Sequence, residues 1–222
     1  MAGQATVMGT SSRTPLAWAG VVAATSLAAT GAVLLALAAS SPGGSLSLNT
    51  VPRSAGTPPR ETFSRLAVAA APPSWKSATI PSGGASLSYP SNWRPIPGDT
   101  GTVTVALRDR RGLYHGYLNV TPREGAEQLT GWASFRAHRN AEEGDHHTRI
   151  VAAAEGLRIA RARGSCVIDD YLSRVGAHAY RELACIVAGS HYTNVFVGAT
   201  LLADWPRLGP VIDRAAAALT ER

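Results

Sequence analysis

SCVIDDYLSRVGAHAYRELACI, residues 165–186, is the stretch on which the fold turns. Its two halves, Ser165–Arg174 and Ala177–Ile186, are both rich in branched and aromatic residues, as strands are. Val175-Gly176 separates them. Folding the halves back on each other so that Arg174 meets Ala177 sets Leu172 against Ala179, Asp170 against Arg181 and Cys166 against Cys185. On the other face Tyr171 meets Tyr180. Opposite charges and paired aromatics each favour this register by a few tenths to about 1 kcal/mol. Two features count against it. Asp169 faces Glu182, a like-charge pair, and Val175 suits a tight primed turn poorly, so a longer loop is an alternative.

In this register the two cysteines, the only ones in the chain, sit directly opposite each other. A non-hydrogen-bonded cross-strand pair has Cα atoms about 4.5 Å apart, within reach of a disulfide. The bond would close a loop of roughly 20 residues and stabilise by about 3 kcal/mol. An external compartment permits the bond. The other reading, a reactive or metal-binding cysteine, lacks a partner at C-x-x-C spacing.

Further strands surround this hairpin. Ala85–Tyr89 (ASLSY) alternates, with Leu87 and Tyr89 on one face, and Pro90-Ser91-Asn92-Trp93 then bends the chain. Thr102–Leu107 and Tyr114–Val120 read as a hairpin around Arg108–Leu113. Ile150–Ala154 and Leu157–Ala162 read as strands joined by a Glu155-Gly156 turn, and Tyr192–Thr200 as a strand near the end. Two segments change to a helical period. Leu129, Trp132, Phe135 and Arg136 predict an amphipathic helix from about Ala126 to Glu142, stopped by Gly144. Asp204 and Pro206 open a closing helix with Ile212, Ala215, Ala216 and Leu219 as its apolar stripe. The expected fold is α+β: one curved antiparallel sheet packed by a long middle helix and a C-terminal helix, preceded by a transmembrane helix.

The last expectation comes from residues 16–39, LAWAGVVAATSLAATGAVLLALAA, which carry no charge. About 20 apolar residues span the hydrocarbon of a bilayer. Arg13 precedes the run and no charge follows until Arg53, which places residues 1–15 in the cytoplasm as a short tail and the bulk outside. A cleaved signal peptide with secretion is the rival reading, and Ala36-Leu37-Ala38 fits its small-residue rule. No cysteine near the end of the run offers a lipidation site. Residues 40–74 read as a flexible linker rich in Pro, Ser, Gly and Ala. Within it Phe63–Ala71 reads as a short helix, or as a strip lying against the membrane or the domain. Residues 75–222 form the expected extracytoplasmic domain.

The formal net charge of +6 is thinly spread. The one tight basic run, Arg108 to Arg111, is interrupted by Asp109 and reads as a hairpin turn, so no nucleic-acid partner is expected. His138, His146 and His147 lie near acids, but their spacing is not that of a metal motif, and no metal or cofactor is expected. Ser190-His191 sits in a turn where neighbours seldom align as nucleophile and base, so no catalytic residue is assigned. Asp169 and Asp170 point to opposite faces of one strand, which defeats a glycosidase dyad. Trp93, Tyr114, Tyr117 and Tyr192 are candidate binding aromatics, each equally readable as core.

Three places resemble the Mog1/PsbP-like fold, and within it the LpqN-type envelope lipoproteins of actinobacteria. They are the opening ASLSYPSNW, the meander with CVIDDYLS and YRELACIVAG, and the close with Phe196, Asp204-Trp205 and a helix. The missing lipidation cysteine departs from that branch. The resemblance implies an accessory or interaction protein, in a fold class that is not chiefly enzymatic. With the scaffold, tether and external surface read above, the leading reading is a noncatalytic membrane-anchored envelope protein that binds an envelope protein or cell-wall component. A small-ligand or lipid carrier is the alternative, and an envelope hydrolase a third reading. The carrier needs a pocket, and the hydrolase needs His146 or His191 beside an acid and a nucleophile.

Overall fold

The structure is a computed structural model that describes residues 59–221. In chain order it runs α1 (Pro59–Thr62), a 3-10 turn (Ser64–Leu66), β1 (Lys76–Thr79), β2 (Ala85–Tyr89), β3 (Arg94–Pro95), β4 (Val103–Arg108) and β5 (Tyr114–Pro122). Then come α2 (Trp132–Glu142), β6 (His146–Ile159), β7 (Ala162–Leu172), β8 (Ala179–Ala188), β9 (Thr193–Leu201), α3 (Trp205–Ala217) and β10 (Thr220–Glu221).

The β7–β8 hairpin has the register read from its sequence: Cys166 faces Cys185, Tyr171 faces Tyr180, and Asp170 faces Arg181. The disulfide is formed, with the Cα atoms 4.1 Å apart. The Asp170 carboxylate takes the Arg181 guanidinium at 2.6 Å, and the two tyrosine rings stack at 5.9 Å. The loop is longer than two residues. Ser173 donates its N–H to the His178 carbonyl and closes a turn in which Gly176 and Ala177 both adopt positive φ. Val175, which suits neither position, is left 70% exposed.

The single curved sheet expected from the sequence is corrected: the strands divide between two antiparallel sheets, and these are flat. One has the order β1-β2-β10 and the other β3-β4-β5-β9-β8-β7-β6. The division follows from hydrogen bonding. Both edges of β2 are occupied, one by β1 and the other by Thr220-Glu221, so β2 has no edge left for the larger sheet. The expected transmembrane helix at residues 16–39 lies outside the described residues. Among the described residues no helix is long and apolar enough to cross a membrane.

Two boundaries also move. The middle helix starts at Trp132 rather than Ala126, because Gly131 takes a left-handed conformation (φ 75°) and ends the preceding turn there. Glu155-Gly156 is not a hairpin turn but an irregularity inside one long strand, β6, where the register against β7 shifts. The hairpin turn is Ala160-Arg161, both at positive φ. A primed turn usually announces itself by Asn-Gly or Gly, so Ala-Arg gave no signal.

The larger sheet is covered on both faces, and alternate residues of the same strands serve each. Toward α3 point Leu118, Ile168, Leu183, Cys185 and Phe196, which join Leu208, Ile212 and Ala215 in the main core. Phe63 and Leu66, from the apolar strip before β1, are buried in the same core at 4% and 2% exposure. Gly198 makes the close approach of α3 possible: a Cβ there would stand 2.5 Å from Ile212 Cγ2. Toward α2 point Val167, Ala184, Ile186, Val195 and Val197, packed by Trp132. Trp132 Nε1 donates to the Ala184 carbonyl at 3.0 Å, which anchors the helix to β8.

Candidate functional site

On the α2 face the apolar patch gives way to charge. Asp169 of β7 and Glu182 of β8 are opposed in the ladder, and both are fully buried. The like-charge pair that counted against the register is resolved by a third residue from elsewhere in the chain. Arg136, one helical turn beyond Trp132, reaches down and clamps Glu182 with two bonds, Nε to Oε1 at 2.6 Å and Nη2 to Oε2 at 2.9 Å. Planar two-point contacts of this kind are among the stronger charge-assisted hydrogen bonds. Burial works against the Arg136 charge, but the Glu182 carboxylate outweighs it and drives the guanidinium pKa upward.

One guanidinium cannot balance two carboxylates. Burial, and then the charge of Glu182, push the Asp169 carboxyl up to about 8, so at neutral pH it holds its proton. Neither of its oxygens has a hydrogen-bond partner among the described residues, and the same is true of both amide atoms of buried Asn140 on α2. Tyr117 of β5 donates its hydroxyl to Glu182 Oε2 at 3.4 Å and lies 3.3 Å from the Tyr171 hydroxyl. Burial and the Glu182 charge push the Tyr117 phenol well above its ordinary range, so it acts only as a neutral donor or acceptor.

This network closes one end of a cleft of 220 Å³ between α2 and the outer strands β4 and β5. Tyr117, Trp132 and Phe135 give it aromatic walls, Val195 and Val197 an apolar floor, and Thr104 and Asn119 a polar edge. Asn119 Nδ2 donates to Thr104 Oγ1 at 2.8 Å. The rim carries Asp99, Glu124, Glu127 and Glu143, with Arg139 held by Glu143 at 3.0 Å. Burial raises the Glu127 pKa, against the pull of the Glu124 N–H that its carboxylate accepts.

The aromatics singled out in the sequence separate in space. Trp93 is 2% exposed in the main core. Tyr114 is half-buried under the Arg108 guanidinium, 5.0 Å from its ring centroid, and its carbonyl accepts the Tyr180 hydroxyl. Tyr192 is exposed and lies over Gly84. Of the four, Tyr117 alone lines the cleft. Arg136, Glu182 and Asp169 were not singled out as site residues. The available signal was the like-charge pair in an otherwise well-matched register, which required a cation from another element.

The histidines do not converge on a site. His146 begins β6 opposite Leu172, and Leu172 faces Ala179 at the start of β8. His191 lies beyond Ala188, at the other end of that strand, about 30 Å away at a rise of about 3.4 Å per residue. His138 meets Glu142 at 3.2 Å on the exposed side of α2. Among the described residues no group of three or more His, Cys, Asp or Glu could hold a metal ion.

A larger concavity of 820 Å³ lies at another place in the fold, between Val68–Ala71, Ala160–Ala162, the β8–β9 turn and the C-terminal end of α3. Its charged groups are Arg161 and Glu221. Burial pushes the Glu221 carboxyl up to about 7, although Asn194 donates to it.

No family model matches the chain, and no curated protein matches it. Solved structures do. The cyanobacterial PsbP of Synechocystis sp. PCC 6803 aligns with a TM-score of 0.49 and 18% identity, over 68% of this chain and 95% of that one. The Saccharomyces cerevisiae Ran-binding protein Mog1p aligns at 0.43 and 8%, over 64% and 87%. LpqN, involved in cell envelope biogenesis of Mycobacterium tuberculosis, aligns at 0.40 and 11%, over 66% and 90%. Against a protein of Bacteroides thetaiotaomicron the chain spans about half of the other's length, 49%. Together these are a weak, low-identity resemblance to a Mog1/PsbP/LpqN-like fold group, and no functional residue is carried over from them.

Proposed function

We propose that the domain is a noncatalytic accessory module of a cell envelope, working outside the cytoplasm, and that it contacts its partner through the cleft between α2 and the sheet. The observation that carries this reading is the buried Arg136–Glu182 pair beside Tyr117 at the head of the cleft. A buried ion pair seldom stabilises a fold, because desolvating two charges costs several kcal/mol. An apolar contact would hold α2 down at least as well. Fixed charge beneath a concave surface instead sets the position of the helix and the electrostatics of what can dock there. The Cys166–Cys185 disulfide supports that compartment, since such bonds persist in oxidising surroundings.

The test is site-specific photocrosslinking in intact cells. A photoreactive residue replaces Thr104 or Phe135 in the cleft, or Arg158 on the far strand. One dominant adduct from the two cleft positions, absent from position 158, supports the reading. Equal adducts from all three positions, or none from the cleft, would refute it.

A second reading, a small-ligand carrier, is favoured by the 820 Å³ concavity, which falls within the roughly 300–1,000 Å³ typical of ligand pockets. Native mass spectrometry of protein recovered from its own cells decides it. A retained small molecule, lost on enlarging Ala162 to Trp, supports the carrier.

A further inference from the structure

Resting on the cleft as the contact surface, we propose that its guest is an organic cation: one arginine or lysine side chain presented by a partner protein. Charge is the first argument. The protein as a whole is basic, with a formal net charge of +6, yet this cleft is acidic. Both guanidiniums in its lining are already engaged, Arg136 by Glu182 at 2.6 Å and Arg139 by Glu143 at 3.0 Å. The side chains of Asp99 and Glu124 have no ion-pair partner among the described residues and stand exposed at the rim. The field inside therefore favours a positive guest and repels an anion.

The walls are the second argument, independent of the acids. Tyr117, Trp132 and Phe135 line the same space, and Phe135 stacks on Trp132 with ring centroids 5.8 Å apart. Aromatic faces attract ammonium and guanidinium groups, most strongly where water is excluded. The polar edge also accepts hydrogen bonds: Asn119 commits its N–H to Thr104, which leaves its Oδ1 for a donor. Burial has already raised the Glu127 pKa, and a nearby cation would reverse that by favouring the carboxylate.

Size is the third argument. At 220 Å³ the cleft is smaller than the roughly 300–1,000 Å³ of pockets for drug-sized ligands. It suits one long side chain, whose alkyl stem lies along Val195 and Val197 while its head reaches the carboxylates.

The test titrates the full chain with short Gly/Ser peptides that carry one central arginine, lysine or citrulline, and separately with butylguanidinium. Backbone amide shifts are followed by NMR. Shifts centred on Thr104, Tyr117, Asn119 and Phe135 are expected for the arginine and lysine peptides. Affinity should fall about ten-fold for citrulline, the loss of one charge-assisted contact, and should weaken as salt rises. Asp99→Asn with Glu124→Gln should lower affinity to a similar degree, while Glu61→Gln, which neutralises one acid outside the cleft, leaves it unchanged. Citrulline binding as well as arginine would overturn the proposal, as would shifts that fall outside the cleft. Butylguanidinium binding as tightly as the peptides would overturn the assignment to a partner's side chain. A crosslinked partner that is captured through the cleft equally by Asp99→Asn/Glu124→Gln protein would leave the contact surface standing and remove the cation.

Discussion

The two faces of the seven-stranded sheet are made by alternate residues of the same strands, yet they are held together by opposite chemistry. Under α3 the contact is apolar: Ile212 sits against Gly198, Phe196 is fully buried, and the disulfide ties β7 to β8 within that layer. Under α2 a small apolar patch around Trp132 runs into two carboxyls, a guanidinium and two phenols. One strand can thus carry close apolar packing on one side and a buried charged cluster on the other. A pleated strand sends neighbours such as Ile168 and Asp169 to opposite sides, so a costly polar cluster on one side need not disturb the packing on the other.

The largest expected effect comes from Arg136→Met. It leaves Glu182 buried without its cation, and urea unfolding should show a loss of about 3–5 kcal/mol. Arg136→Met combined with Glu182→Leu should recover most of that loss, because a buried pair replaced by apolar groups is often close to neutral. If the double variant is as unstable as the single, the network is structural in a way the comparison does not allow.

On the other face, Cys166→Ser with Cys185→Ser should lower stability by about 3 kcal/mol for a closed loop of this length. The 19-residue separation sets that loop. The chemical shifts of Arg136 and Tyr117 should stay in place, since the bond lies in the α3-side layer. Gly198→Ala probes the same layer by steric conflict. Its Cβ would meet Ile212 at 2.5 Å and Leu118 at 3.0 Å, and overpacking of this kind costs about 1–3 kcal/mol.

Per pH unit, the smallest expected effect is on pH dependence. With a native pKa raised from 3.8 to about 8, Asp169 keeps a proton in the folded state that the unfolded chain releases. Stability contributed by this group is therefore greatest in acid and falls as pH climbs from about 4 to about 8, by at most about 1.4 kcal/mol per pH unit. Asp169→Asn should flatten that slope in denaturant midpoints measured across the range. A slope unchanged by the substitution would show that Asp169 is not the buried acid of the α2 face.

Much of the fold was legible because it depends on local pairing. The register of β7 on β8 follows from complementary neighbours along two adjoining segments, and so do the disulfide and the Asp170–Arg181 contact. The stripe Ile212, Ala215, Ala216 and Leu219 is fully buried or nearly so, as its spacing required. Where the local code is weak, the reading slipped. Ala160-Arg161 turns the chain without turn residues, and Gly156 marks an irregularity rather than a hairpin.

The candidate site was hardly legible at all. Each of its parts carries an ordinary sequence signal: Tyr117 an alternating strand, Arg136 a helix face, and Asp169 and Glu182 a mismatch in a hairpin. The sequence alone determined which residues lie opposite one another in the β7–β8 hairpin and which face of α3 is apolar, because those choices rest on spacing of two or about 3.6 residues. Only the tertiary structure decided that Arg136 would answer Glu182 across 46 positions of chain, and that β2 would pair with β10 instead of joining the larger sheet. Such contacts depend on where whole elements come to rest. A buried charge accepts whichever partner the packing brings to it, and nothing in the spacing of its own neighbours says which that will be.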